Sequence, residues 1–239
     1  MSYQILVVED EPLVARRLQR LTNETAGEQL GNTFVAPSVV TAEALLKENE
    51  IDLILLDLNL AGEDGFDLLK RFTAKAAYTI VVSAYVERAL EAFEYGVLDF
   101  VPKPFTRARL EKALERLWGG VRGAVPPARQ LSFETLRGVE VIALDDILFF
   151  KGADKYSEAV LGNGDTRFHG KPLNRLENIL APEFVRTHKS YLVHSRSIAE
   201  IRSLEGSRYA LHLKNGEQLP VGRTRVDHVR QILEMREAS

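Results

Sequence analysis

Five side chains in the first half of the chain end apolar runs and together carry a recognisable chemistry. Glu9 and Asp10 follow Ile5 to Val8, Asp57 follows Leu53 to Leu56, Ser83 follows Ile80 to Val82, and Lys103 lies just past Leu98 to Val101. If those runs are neighbouring strands, three carboxylates, a hydroxyl and an ammonium meet at one rim. Adjacent anions raise one another's pKa and repel unless a cation sits among them. Oxygen-only ligands suit Mg²⁺, which takes one or two carboxylates plus waters and phosphate oxygens. A nucleophilic carboxylate, a divalent cation, an ammonium and a hydroxyl are the parts needed to accept a phosphoryl group. Each residue also has a plainer reading. Asp10, before Glu11-Pro12, could cap a helix; Asp57 could begin a turn, Ser83 could be a loop hydroxyl, and Lys103 a surface cation. The joint spacing favours the pocket.

A second cluster lies in the other half. Arg186-Thr187-His188-Lys189-Ser190-Tyr191-Leu192-Val193 concentrates cations and hydroxyls beside a β run, and Gly222-Arg223-Thr224-Arg225 repeats that chemistry. Such groups neutralise and hydrogen-bond nucleic-acid phosphates, and Arg can read guanine edges. The same composition also makes an ordinary solvated face, and His188 can equally satisfy buried backbone groups.

The elements that must hold these groups follow from the apolar pattern. In the first half the strand-like runs are Ile5 to Val8, Thr33 to Ala36, Leu53 to Leu56, Ile80 to Val82 and Leu98 to Val101. Most are continuous apolar runs, as expected for strands covered on both faces. Helical spacing separates them: Val14, Leu18 and Leu21 after Pro12; Ala42 to Lys47 after a Thr41 cap; Phe66, Leu69 and Phe72; Ala89, Ala92 and Phe93; and Leu110, Leu114 and Leu117. Five strands alternating with five helices predict an α/β doubly wound parallel sheet, whose ligands bind beyond the carboxyl ends of the strands.

Gly119 to Pro127, with three glycines and two prolines, breaks the apolar period and marks a linker. Short β runs then predominate: Val139 to Leu144, Ile147 to Phe150, Ser157 to Leu161, Phe184 to Thr187, Tyr191 to Val193, Ile198 to Ile201 and Tyr209 to Leu213. Turn signals fall at Gly162 to Asp165 and at Asn215-Gly216. Helices are predicted near Pro172 to Ile179 and Val226 to Met235, in an otherwise mostly antiparallel β domain. The predicted organisation is 1–120, a linker at 121–130, and a second domain at 131–239.

Composition narrows the classes. The 239 residues hold 31 Lys+Arg, 34 Asp+Glu and no Cys, which excludes disulfide scaffolds and thiolate chemistry. Residues 1–120 carry 13 basic and 19 acidic side chains, residues 121–239 carry 18 and 15, and all five histidines are in the second half. An acidic half joined to a basic half fits a regulatory or metal-binding domain joined to one that meets phosphates. No secretory signal or apolar stretch of about 20 residues is present, so no membrane partner and a cytoplasmic location are expected.

Val7 to Pro12, Leu55 to Leu60, Val81 to Ala84 and Phe100 to Phe105 resemble the motifs of bacterial response-regulator receiver domains over about residues 3 to 118. The resemblance implies that Asp57 accepts phosphate from a sensor histidine kinase. It further implies that Asp10 binds Mg²⁺ directly, Glu9 acts through water, and the Asn59 carbonyl completes the protein ligands. Ser83 and Lys103 would bind phosphoryl oxygens. Phosphorylation would draw Ser83 inward and rotate an aromatic on the fifth strand, here Phe100 where many relatives have Tyr. Lys103-Pro104 is a cis peptide in that family. Tyr85, Val86, Ala89 and Leu98 to Leu110 would form a switch and homodimer surface of the receiver.

Ile147 to Phe150, Lys155-Tyr156, Phe184 to Val193, Lys214 to Gly216 and Leu219 to Arg223 resemble a LytTR DNA-binding domain over about residues 131 to 235. This resemblance implies a ten-stranded β fold whose loops enter successive major grooves of promoter DNA with direct repeats. By motif, Ser157 in the loop after Tyr156, Lys189 and Arg223 occupy DNA-contacting positions, with Lys155, Arg186, His188 and Arg225 beside them. Two departures stand out: His194 where Asn is common, and Gly222 where Ser is common. The expectation is a two-component transcriptional regulator rather than an enzyme, with a phosphate-independent DNA-binding or interaction regulator as the alternative. An aspartyl phosphatase of the haloacid-dehalogenase type would want Asp at position 59, which is Asn, and an esterase would want a Gly-x-Ser-x-Gly elbow, which is missing.

Overall fold

The computed structural model describes residues 2–60, 65–118, 128–180, 182–206 and 208–237. The chain divides into two compact units, Met1–Val141 and Ile142–Ser239.

In the first unit, strands β1 (Tyr3–Val8), β2 (Leu30–Ala36), β3 (Leu53–Leu56), β4 (Tyr78–Ser83) and β5 (Asp99–Pro102) alternate with helices α1 (Pro12–Ala26), α2 (Val39–Glu48), α3 (Gly65–Thr73), α4 (Ala89–Glu94) and α5 (Arg107–Leu117). The strands form one parallel sheet in the order β2-β1-β3-β4-β5. All four residues of β3 and all six of β4 are buried, as a sheet covered on both faces requires. The doubly wound expectation therefore holds, and the carboxyl ends of β1, β3, β4 and β5 share one rim.

Local chemistry sets the helix starts. Pro12 occupies the first turn of α1, where its missing N–H costs nothing, and no side chain caps that helix. Asp10 is therefore free for the rim. Helix α2 begins at Val39, earlier than the sequence suggests, because the Ser38 hydroxyl accepts from the Thr41 N–H; Ser38 is the cap and Thr41 is inside. Gly65 opens α3 so close to the Leu58 carbonyl oxygen that an added Cβ would stand 2.3 Å from it, which only glycine permits. This tight approach fixes the start of α3 just beyond the rim.

The linker reading at 119–127 lies outside the described residues. Beyond it, β6 (Gln130–Thr135) and β7 (Gly138–Ala143) form a two-stranded sheet. Up to Val141 this hairpin belongs to the first unit, whereas the sequence pattern assigned everything from 131 to the second domain. Three contacts explain the difference. The Arg129 N–H donates to the Glu94 carbonyl, the buried Thr73 hydroxyl meets the buried Ser132 hydroxyl at 3.2 Å, and Lys75 pairs with Glu134.

In the second unit, β8 (Ile147–Ala153), β9 (Tyr156–Leu161), β10 (Thr166–His169), α6 (Leu173–Leu180), β11 (Phe184–His188), β12 (Tyr191–His194), β13 (Ile198–Leu204), β14 (Arg208–Leu213), β15 (Gln218–Val221) and α7 (Val226–Glu237) follow in order. They build an antiparallel sheet β10-β9-β8-β12-β11 and a three-stranded antiparallel sheet β13-β14-β15. Phe149, Val185, Val193, Ile198, Leu211, Leu213 and Val229 pack into one core. Among the described residues, ten strands follow the linker, the number that the LytTR resemblance implies.

Candidate functional site

At the rim of the parallel sheet, Glu9 is buried, Asp57 is 3% exposed and Ser83 is fully buried, while Asp10 is half-buried. Ligand oxygens of Glu9, Asp10 and Asp57 lie within 4.8 Å of one another. Lys103 spans two of them, with Nζ 2.7 Å from Asp57 Oδ2 and 2.8 Å from Glu9 Oε2. The Asn59 N–H donates to Asp57 Oδ1 at 3.1 Å, so one carboxylate oxygen is held by the backbone and the other by the ammonium. The Tyr85 hydroxyl approaches Asn59 Oδ1 at 3.5 Å, and the Tyr85 N–H approaches the Ser83 hydroxyl at 3.4 Å.

The electrostatics follow from burial. Desolvation raises the Glu9 pKa, overcoming the opposing pull of Lys103, and the Asp57 charge adds to the rise. Burial pushes Lys103 down, but its hydrogen bonds to Asp57 and Glu9 outweigh that and leave its pKa raised. One ammonium thus compensates two buried carboxylates, with Asp10 as a third nearby. Such an excess of anionic oxygen, in a cluster without sulfur or imidazole, fits Mg²⁺. Glu9, Asp10 and Asp57 are the residues that would hold it.

Phe100 packs into the core of the first unit at 4% exposure. Beside it lies a constellation that sequence reading missed. Asp99, buried in β5, receives Arg109 through two hydrogen bonds of 2.8 and 2.9 Å and Arg116 at 2.8 Å. Arg109 also donates to the Phe100 carbonyl. The available signal was an aspartate inside an apolar strand, followed by two arginines spaced on one face of the next helix. The Lys103-Pro104 bond is cis, as the resemblance implies.

In the second unit, Lys155, Lys189 and Arg223 are exposed, and His188 and Arg225 are half-buried. These positions sit at the β8–β9 turn, the β11–β12 turn and just after β15. The Gly222 N–H donates to the Thr187 carbonyl at 2.8 Å, which brings the Arg223 segment against β11. His188 Nδ1 accepts the Ser190 N–H at 3.2 Å, and burial followed by the Lys189 and Arg186 charges lowers its pKa. His188 therefore shapes the turn as a neutral ring.

Two expected DNA contacts are corrected by the structure. Ser157 lies in β9 rather than in a loop; it is fully buried and its hydroxyl donates to the Lys171 carbonyl at 2.8 Å, so it cannot reach a nucleic acid. Arg186 turns back, donating to the His188 carbonyl at 2.8 Å and to the Lys189 carbonyl, so it braces the turn from behind. Arg225 is partly engaged by Glu177 at 3.6 Å. Of the seven expected contacts, Lys155, Lys189 and Arg223 present the most accessible charge.

Comparison with known proteins gives the same two-part division. The response regulator receiver domain model matches residues 5–115 and the LytTr DNA-binding domain model matches residues 137–234. The "Transcriptional regulatory protein LytR" of Staphylococcus aureus is 31% identical, over 92% of this chain and 94% of its own length. The "Positive alginate biosynthesis regulatory protein" of Pseudomonas aeruginosa is 29% identical over 96% and 98%. The "Sensory transduction protein LytT" of Enterococcus faecalis is 27% identical over the same shares.

Proposed function

The chain belongs to the response regulators that join a receiver domain to a LytTR DNA-binding domain, two-component regulators of transcription, and from that premise we propose that Mg²⁺-dependent phosphorylation of Asp57 controls its binding to promoter DNA. The observation that carries the reading is the Asp57 carboxylate itself, buried, paired with Lys103 at 2.7 Å and held beside Glu9 and Asp10. A sensor histidine kinase supplies the phosphoryl group: the phosphorus–nitrogen bond to its imidazole breaks as the bond from an Asp57 oxygen to phosphorus forms. Mg²⁺, when bound, neutralises charge on the carboxylates and the transferring group.

The chain's own residues do the rest. Lys103, already at hydrogen-bond distance from Asp57, follows the new charge onto a phosphoryl oxygen. The acyl phosphate carries about −1.5 to −2 charges where the carboxylate carried −1, and it presents three phosphoryl acceptors. Ser83 donates to one of them, and its contact with the Tyr85 N–H transmits that change to the segment after β4. Tyr85, Val86 and Leu90 present exposed apolar surface there, at 43%, 53% and 70%, which supports a phosphorylation-dependent homodimer through the receiver. Phe100 is the aromatic of the switch. The domain limits proposed are 1–120 for the receiver and 131–239 for the DNA-binding part, with β6 and most of β7 packing on the receiver side. No helix among the described residues is long and apolar enough to cross a membrane.

The deciding experiment is intact mass spectrometry after incubation with Mg²⁺ and a small phosphodonor, wild type beside Asp57→Asn, with DNA binding assayed on the same samples. A one-phosphoryl gain in wild type alone, with tighter binding to direct repeats, is expected. A gain without tighter binding would replace phosphorylation control with phosphate-independent output. The variant should keep its fold and basal DNA binding, because Asn retains the acceptor for the Asn59 N–H.

A further inference from the structure

A cavity of about 200 Å³ in the second unit lies between the segment before β8, the end of β12 and the β14–β15 turn. Its lining includes Asp145, His194, Arg196, Lys214 and Asn215. Each of the three strands β8, β12 and β15 has one end near this cavity and the other near a basic loop: β8 runs toward Lys155, β12 runs away from Lys189, and β15 runs toward Arg223. At about 3.3 Å per residue, the seven residues of β8 alone span roughly 20 Å. The cavity therefore sits at the pole of the unit away from the expected DNA contacts.

The buried wall of the cavity is His194, at 2% exposure. Its Nδ1 accepts the Arg196 N–H at 3.1 Å, so the neutral ring carries its hydrogen on Nε2. That Nε2 makes no hydrogen bond of normal length: Asp145 Oδ1 stands 3.6 Å away, a long contact that draws the ring's pKa upward but leaves the donor poorly satisfied. A buried donor so weakly met is uncommon and unfavourable. A metal cation is excluded as its partner, because the Nε2 lone pair is taken up by the proton. Burial, the largest influence on this ring, lowers its pKa against the pull of Asp145 and keeps it in the neutral donor form.

Charge at the mouth selects the ligand. Arg196 pairs with Asp145 at 2.9 Å, but both groups are 71% exposed, so the pair is weak and Arg196 can exchange partners. Lys214 makes no ion pair among the described residues, so two cations face one carboxylate. We propose that this cavity is a binding site for a small oxoanion, a phosphate or a carboxylate, whose oxygen accepts from His194 Nε2–H while Arg196 and Lys214 compensate its charge. Binding there would tie Asp145, Arg196 and the Lys214 turn together at the end of the unit that does not meet DNA.

The test is a proton–nitrogen NMR titration of the full chain at pH 7 without Mg²⁺. Inorganic phosphate, acetate and sodium chloride are compared at matched ionic strength, following the His194 ring Nε2–H and the Leu148, Ser197 and Lys214 amides. Saturable shifts with phosphate or acetate but not with chloride are expected, and the arm that saturates identifies the anion class. Lys214→Ala, an exposed substitution that leaves the fold intact, should weaken binding about fivefold, the effect of losing one exposed charge partner. The proposal fails if no arm saturates, if chloride gives the same shifts, if Lys214→Ala leaves the affinity unchanged, or if shifts are confined to the loops of Lys155, Lys189 and Arg223.

Discussion

Replacing Lys103 with Met separates the charge of the phosphoacceptor pocket from its shape. The side chain keeps its length, but Glu9 and Asp57, both buried, lose the single ammonium that lies 2.8 and 2.7 Å from them. Breaking a buried pair by removing one partner costs about 3 to 5 kcal/mol. Lys103 is 15% exposed and water can enter after it, so the lower end, about 3 kcal/mol near pH 7.5, is expected. The pH dependence has a definite sign. Glu9 already has a raised folded pKa, so its ionisation opposes folding, and the stability held while it is protonated is lost as pH rises through that pKa. Losing Lys103 removes the two influences that lower it most, so Glu9 in the variant takes up a proton at a higher pH than in wild type. The stability gap should therefore narrow as pH falls from 7.5 toward 5. Trp118 is the chain's one tryptophan and its ring lies 4.6 Å from Tyr3, so its fluorescence follows the first unit alone. With a urea slope of about 2 kcal/mol per molar, the midpoint should drop by about 1.5 M at pH 7.5. An unchanged midpoint, or a gap that stays constant between pH 7.5 and 5, would refute the assignment of Lys103 as the pocket's compensating charge.

Ser157→Ala should cost about 1 to 3 kcal/mol by leaving the buried Lys171 carbonyl without its donor, while folded protein keeps its DNA affinity; urea titration paired with a gel-shift assay reads both. Arg223→Ala should do the reverse, leaving stability within about 0.5 kcal/mol and weakening DNA binding with a salt slope shallower by about 0.9, so an unchanged slope would remove Arg223 from the interface. Arg186→Ala should lower stability by about 1 to 3 kcal/mol through the two turn carbonyls it releases, and protection of the Lys189 and Ser190 amides from hydrogen exchange should fall with it.

The parallel sheet was legible because burial on both faces leaves a strand no choice but a continuous apolar run; Leu53–Leu56 is entirely buried and entirely apolar. The pocket was legible for a related reason, since a charged residue that ends such a run must stand at the sheet's rim. What was missed depends on contacts distant in sequence. Gln130–Thr135 pairs with Gly138–Ala143 and meets Thr73 and Lys75, about 59 positions earlier, and no local pattern announces that. Ser157 has the residue type of a phosphate ligand, yet the next strand's exit supplies a carbonyl at 2.8 Å and burial does the rest. Arg186 shares a motif with Lys189, but only the turn's geometry decides that one guanidinium folds inward while the neighbouring ammonium stays in water.

Correcting Ser157 and Arg186 also changes the energetics of the DNA reading. Among the positions expected to meet DNA, the second unit presents three well-exposed cations, Lys155, Lys189 and Arg223, with Arg225 shared with Glu177. Neutralising three phosphates gives a logarithmic salt slope of about −2.7, whereas proteins making 6 to 10 phosphate contacts lose about 10³ to 10⁵ in affinity between 50 and 200 mM salt. A single unit thus falls short of that electrostatic range. Two units on adjacent repeats bring six exposed cations, and once one is bound the second binds at an effective concentration set by their connection rather than by bulk protein. On this arithmetic, phosphorylation need not alter any side chain at the DNA face, because joining two chains through their receivers is enough to raise occupancy of a repeated site. A salt slope near −5 for the phosphorylated protein on two repeats, beside one near −3 on a single repeat, is the signature of that mechanism, and equal slopes on both would contradict it.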